Sequence, residues 1–463
     1  MQWFGVAYFV LAVLTAVFLI GLALVWRKTS LPHFVLGLAL VYYYSLFGAW
    51  GIVAMKEHGT ASYSLDYLEA SLFPITIDEN YVLALLVYGV FVLSLLFAVT
   101  LLVPARNKIL IGQSRTVAIH YWRLLLIATV CFCASLAIEW QGLQSALDEG
   151  VSAYSITRFE DNPFYTIHQI FNRTGLAALA IGIAGAFALR RKNFGIAIGY
   201  LPVTLAWIAF LFLIGNRNEM LMAGIAGFLW YFSLGGRLKA VPVAIVVLCG
   251  FFILRLTEAT RGEGLEIATT DVSETLLSAD FWNPFAVASG SESQAAHMSM
   301  YGVLSHNVDF TYGSSILYFV SSFVPRLIWS DRPPDSYTLY TNATMVSDEH
   351  GYNIHLATGW YLNFGLPGVI VGAILVALVW VGVFRMVLRN QENNSRWAVM
   401  WCCSFCFTSA FMAALMRNGP EGMKGMIVEA VIIPLVVAWI GTKDIAPQSI
   451  AHRPNNPDDS LAS

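Results

Sequence analysis

Apolar residues run along the chain in long blocks separated by polar connections, near 4–26, 33–54, 81–103, 121–138, 174–189, 194–214, 219–235, 241–257, 362–384, 397–416 and 423–441. A helix needs about 17 to 25 such residues to cross a hydrocarbon core of roughly 30 Å. The pattern therefore predicts an all-α fold, a polytopic transmembrane bundle of about 11 spans. The bundle is read as one domain over 1–445, followed by a short tail at 446–463. The first run follows Met1-Gln2-Trp3-Phe4 without a basic segment and is too long for the core of a signal peptide, so it reads as an uncleaved span. No repeat with a period of about 20 to 50 residues is visible.

Composition sharpens this reading. Hydrophobic residues make up 57% and charged residues 12% of the 463 positions, against roughly 25% charged in an ordinary soluble domain. That much apolar surface needs lipid as its solvent. A net charge of −3 with no basic stripe argues against nucleic acid as a partner. The six cysteines (Cys131, Cys133, Cys249, Cys402, Cys403 and Cys406) all fall inside apolar runs. They read as small buried hydrophobes, so neither a disulfide framework nor a metal site is expected. Cys402 and Cys406 lie one helical turn apart, but no His or carboxylate is near them in sequence.

Charge also sets an orientation. The connections at 27–32, 104–123, 190–192, 237–239 and 385–396, with the tail, hold 16 of the 26 basic residues and only four acidic ones, Glu392, Asp444, Asp458 and Asp459. The alternate connections hold the other 10 basic and 25 acidic residues. The positive-inside rule then places the N-terminus outside and the C-terminus in the cytoplasm. The outer side would carry segments 55–80 and 139–173 and a large loop over 258–361. Within that loop Ser314 to Trp329 is apolar but too short to span, and is expected to form an interfacial or re-entrant helix.

Candidate chemistry lies on this outer side, where arginines stand out against an acidic background. Arg217 and Arg417 each occupy a very short turn between two spans, Arg173 opens a span, Arg255 sits near the end of another, and Arg326 lies within the apolar loop segment. An arginine at a membrane edge usually faces a polar cavity or a partner, the alternatives being snorkelling or pairing with Glu219, Glu258 or Glu421. Its planar fork suits a phosphate and keeps its charge in a low-dielectric cavity. Two or three such forks could stabilise a departing diphosphate without a metal, and the chain has no Asp-x-Asp triplet to hold Mg²⁺. No cofactor is expected. Among the outer histidines, His355 stands just before a span and is the candidate general base, with His306 second. Either can equally be structural. Glu219, Asp309 and Glu421 are the carboxylate candidates, which could bind substrate or only orient an arginine.

Three segments carry a resemblance: Gly215-Asn216-Arg217 at the start of a span, Phe323-Val324-Pro325-Arg326-Leu327-Ile328-Trp329-Ser330-Asp331-Arg332-Pro333, and Ala357-Thr358-Gly359-Trp360 followed by Gly365-Leu366-Pro367-Gly368. Together with the late large loop, they make the chain resemble the O-antigen or oligosaccharide repeat-unit polymerases, the Wzy-type family of bacterial inner membranes. The resemblance implies a periplasmic glycosyltransferase that moves a growing glycan from undecaprenyl diphosphate onto a second lipid-linked repeat unit. It implies membrane lipid and carrier-linked glycans as partners, and a chain-length regulator and a flippase beside them. The diphosphate clamp would fall to Arg217 and Arg417, with Arg326 or Arg173 as helpers, and the base to His355. An O-antigen ligase or other polyprenyl-sugar transferase fits the same residues. A flippase or exporter of lipid-linked oligosaccharide is the alternative outside enzymes, and would more often show internal repeats and mid-helix charges.

Overall fold

The computed structural model describes residues 2–59, 69, 72–105, 117–149, 165–188, 194–214, 217–236, 292–324, 329, 333–346, 354–391 and 395–444. Among them a helix overlies ten of the eleven apolar runs, and the run at 241–257 lies outside the described residues. The helices are α1 (Gln2–Thr29), α2 (Pro32–His58), α3 (Glu79–Leu102), α4 (Tyr121–Glu149), α5 (Tyr165–Ala188), α6 (Phe194–Leu213) and α7 (Arg217–Ser233). In the large loop come α8 (Glu292–Ser305), α9 (Ser314–Ser321) and α10 (Ser336–Thr344). The chain closes with α11 (Leu356–Gln391), α12 (Arg396–Ala410), the single turn α13 (Met412–Met416) and α14 (Gly422–Gly441).

Seven of these, α1 to α5 with α11 and α14, contain stretches long and apolar enough to cross a membrane, and a shorter apolar helix covers Ile198–Leu211. The fold is an all-α, membrane-type bundle. α3 packs between α1 and α11, while α5 and α7 pack on each other and on the α12 and α14 pair. Bulky apolar side chains such as Phe9, Ile20, Phe97, Trp122 and Leu126 face outward. Serine, threonine and histidine side chains are instead buried between helices. A helix that is apolar all round and keeps its polar groups for its neighbours is what a lipid solvent selects.

The two ends of the bundle differ chemically. At one end, Lys28 Nζ donates to the Thr100 carbonyl at 2.6 Å, Arg385 Nη2 donates to the Leu102 carbonyl at 2.8 Å, and Arg396 bonds the Trp439 carbonyl. These cations satisfy carbonyls that the last turns of α3 and α14 leave without intrahelical partners, and they oppose the negative end of each helix dipole. A two-stranded antiparallel ladder, β1 (Val117–Ile119) with β2 (Thr442–Asp444), closes the same end.

Toward the other end, three backbone irregularities shape the bundle. α2 passes through a π-helical turn at Tyr43–Phe47, and α14 through another at Val428–Ile432. A π-turn re-aims side chains and loosens the carbonyls around it. α11 bends sharply at Phe364-Gly365, where Gly365 has φ +62°, a conformation that glycine adopts without Cβ strain. The bend sets the stretch before it, 356–363, apart from the long span that follows.

Of the apolar loop segment, α9 takes up only Ser314–Ser321. Its Ser315 Oγ accepts from Asn363 Nδ2 at 2.6 Å, and Lys424 Nζ donates to the Ser322 carbonyl at 2.6 Å. Leu317 and Val320 point away, exposed.

Candidate functional site

The turn 417–421 between α13 and α14 is sewn to two distant parts of the chain. Glu421 Oε1 accepts from the backbone N–H and from the hydroxyl of Ser336, both at 2.7 Å. Ser336 is the first residue of α10, so the carboxylate binds where a helix start leaves N–H groups without intrahelical partners. The Gly419 N–H donates to the Ile354 carbonyl at 3.0 Å. A methyl group on Gly359 would collide with Pro420, so the turn and the start of α11 approach as closely as backbone allows. Arg417, 6% exposed, is thereby fixed beside the residues that lead into His355. Burial raises the Glu421 carboxyl to about 7, against the opposing effect of the two Ser336 hydrogen bonds.

His355 is fully buried at the head of α11. Its Nδ1 accepts the Ala357 N–H at 3.0 Å, and its Nε2 lies 3.0 Å from Ser45 Oγ. Since Nδ1 is the acceptor, the ring proton sits on Nε2 and points to Ser45. Burial, with His297 nearby, holds this imidazole far below its ordinary value, to about 3. The ring thus caps the helix and anchors it to the π-turn of α2. The same turn frees the Ser45 carbonyl, which takes a hydrogen bond from His297 Nδ1 on α8 at 2.9 Å. His297 too is held low, to about 4, by burial. Tyr88 of α3 completes the knot, donating to the His297 carbonyl at 2.6 Å and accepting the Met300 N–H at 3.1 Å. Ser299 Oγ meanwhile reaches both the His355 N–H, at 3.1 Å, and Thr358 Oγ1, at 2.9 Å. One buried polar network therefore ties α8, from the large loop, to three membrane helices.

A second group of polar residues lies between α5, α7 and α14. Arg173 Nε stands 2.8 Å from Glu429 Oε2, and Arg173 Nη2 stands 3.4 Å from Glu219 Oε1. Glu429 is presented by the π-turn of α14. Two carboxylates around one guanidinium leave the group with an excess of negative charge. Arg173 is thus held by acids, the pairing with Glu219 that sequence allowed, and Glu429 is an addition that sequence analysis passed over.

The structure brings Arg417, Glu421 and His355 to one place and Arg173 and Glu219 to another. Arg217 opens α7 two residues before Glu219, but its side chain, like Arg255 and Arg326, lies outside the described residues. His306 sits past the end of α8, its Nδ1 3.0 Å from the Gly302 carbonyl and its ring 5.3 Å from Phe73. Sequence reasoning counted His297 only as one of the outer histidines and missed Ser45, Tyr88, Glu139 and Glu429. Glu139 and Glu429 carried a signal, a lone carboxylate in or beside an apolar run; the others carried none, because a π-turn has no sequence signature here. Cys406 does meet a histidine, with Sγ 3.5 Å from His33 Nε2. Among the described residues, no three His, Cys, Asp or Glu side chains are placed to share a metal ion.

Fold and site together define a multi-pass helical membrane protein whose large loop is bolted to the bundle through buried polar contacts. Compared with known proteins, the chain matches no protein-family model, no curated protein and no solved structure.

Proposed function

We propose that the protein is a metal-independent polyprenyl-diphosphate-dependent glycosyltransferase that polymerises lipid-linked repeat units. In this reading it lies in a bacterial inner membrane, N-terminus periplasmic and C-terminus cytoplasmic, and acts at the periplasmic end. The observation that carries it is the placement of Arg417, a buried guanidinium in a turn stitched to the large loop, at the end of the bundle opposite the basic helix caps. Basic caps at one end and acidic loops at the other are what the positive-inside rule expects of that orientation.

In the reaction, a hydroxyl of the acceptor repeat unit attacks the anomeric carbon of the donor glycan, and the bond from that carbon to the diphosphate oxygen breaks. Arg417, with Arg217, offers charge to the departing diphosphate, an interaction that strengthens as the bond lengthens. The hydroxyl proton passes to the oxyanion that the reaction releases. His355, with both ring nitrogens engaged, serves as a positioning residue that fixes the head of α11 against the Arg417 turn. Glu421 holds α10 and the loop over that turn.

The test is the glycan profile of a strain lacking the protein, complemented with variants. Loss of the protein is expected to leave single repeat units on the acceptor lipid. Arg417→Ala, Arg217→Ala and the Lys variants at both positions are expected to insert normally and restore no polymer. Full-length polymer from Arg417→Ala rejects the clamp. An uncapped acceptor lipid indicates a ligase, and a cytoplasmic backlog of carrier-linked units indicates a flippase; either result overturns the polymerase reading.

A further inference from the structure

On the α4 and α5 pair, away from the residues assigned above, Glu139 and His168 face each other with Oε1 3.5 Å from Nδ1, both side chains only 3% exposed. At that distance His168 Nδ1 makes no hydrogen bond. On its far side, His168 Nε2 lies 2.8 Å from Asn172 Nδ2, one turn along α5. Asn172 is fully buried and its Oδ1 has no hydrogen-bond partner, and the hydroxyl of the fully buried Ser135 likewise has none. A buried amide that uses its donor and leaves its acceptor idle is costly, because the unused oxygen has lost its water. It is explained if the amide serves two states in turn.

We propose that Glu139, His168 and Asn172 form a buried proton-binding site. In the ionised state the Glu139 carboxylate faces the Nδ1–H of a neutral His168, whose Nε2 accepts from Asn172 Nδ2. A proton arriving on Glu139 makes it a carboxylic acid whose O–H donates to Nδ1. The one ring proton of His168 then resides on Nε2, and the Asn172 amide turns so that Oδ1 accepts it. The site gains one proton and moves from one net negative charge to none, the direction that a low-dielectric interior favours. In both proposed states the Asn172 amide pairs with Nε2, through Nδ2 in one and Oδ1 in the other, which a leucine or alanine at 172 would not allow.

The surroundings bias the site without neutralising it. α5 carries Arg173, α7 Glu219 with Arg217 at its first residue, and α14 Lys424 and Glu429, while the Phe210 ring of α6 lies against His168, at 6.2 Å between centroids. Arg173 is already shared by Glu219 and Glu429.

Infrared pH-difference spectra of the full-length protein in lipid nanodiscs test this directly. A protonated-carboxyl band is expected that titrates, vanishes in Glu139→Gln, and shifts its midpoint by about one unit or more, at least tenfold in proton affinity, in His168→Gln and Asn172→Leu. Titrating bands unchanged in a folded Glu139→Gln protein overturn the site. Should that variant fail to fold, ¹⁵N-histidine spectra of the unsubstituted protein decide, with the His168 signals assigned by their loss in His168→Gln. A change of tautomer with pH supports the site, and one tautomer throughout overturns it. Removal of the carboxyl band by sodium at constant pH would show a metal cation in place of the proton. None of these readings depends on glycan transfer, so the site stands or falls apart from the proposed enzyme.

Discussion

Arg173 and Glu429 come from helices at opposite ends of the sequence, yet Nε and Oε2 lie 2.8 Å apart, with the carboxylate swung into place by a π-turn in α14. The pair, together with Glu219, joins α5, α7 and α14 through charge.

Removing the guanidinium should therefore take away the cation that pairs with Glu219 and Glu429. Arg173→Met is expected to destabilise the protein by on the order of 3 kcal/mol, and Glu429→Gln added to it should recover part of that loss. Thermal unfolding of the two single variants and the double variant in the same lipid measures the coupling; strictly additive effects would show that the pair is not energetically linked.

Glu421 makes stability depend on pH. Its carboxyl is raised in the folded protein from an ordinary 4.5 to about 7, so the folded state holds this proton more tightly than the unfolded state does. The resulting stabilisation is complete below about 4.5 and is lost as the pH rises through about 7. Unfolding midpoints across that window should fall in the parent protein more steeply than in Glu421→Gln. Equal slopes would remove Glu421 as the titrating group.

Gly359 should not tolerate a side chain. Its Cβ would run into Pro420, whose ring cannot swing aside as a flexible side chain would. Gly359→Ala is expected to cost about 1 to 3 kcal/mol, through displacement of the 417–421 turn. It should also weaken whatever activity Arg417 serves. An alanine variant with unchanged unfolding temperature would mean that the turn is looser than its hydrogen bonds to Ser336 and Ile354 imply.

His355 separates a cap from a base. Asparagine at this position keeps an acceptor for the Ala357 N–H, whereas alanine removes the cap and leaves Ser45 without its imidazole partner. Alanine is expected to cost about 1 to 3 kcal/mol of stability, and asparagine distinctly less. Asparagine should also retain most of the transfer activity. Normal stability with abolished transfer in His355→Asn would restore the general-base role.

Much of the architecture was legible because lipid reads the sequence locally. The apolar run at 81–103 becomes α3 (Glu79–Leu102), and Asp78 just before it caps the helix by accepting the Tyr81 N–H at 2.9 Å. The basic residues assigned to one side, among them Lys28, Arg385 and Arg396, gather at one end and cap helix carbonyls there. The Arg417 and Glu421 turn and His355 were singled out from sequence, and they are neighbours in the fold.

The meaning of those residues was not legible. Ser45 and His355 stand 310 residues apart in the chain, and they meet because a π-turn in α2 rotates a serine toward the head of α11. Arg173 could be read as a hand for phosphate until its two carboxylates were seen. The sequence by itself determined which segments enter lipid and how charge divides between the two ends, because transfer from water to hydrocarbon is decided segment by segment. Only the tertiary structure decided which buried polar groups satisfy one another, since in a medium without water each must find its partner on another helix, and that choice depends on how the helices pack.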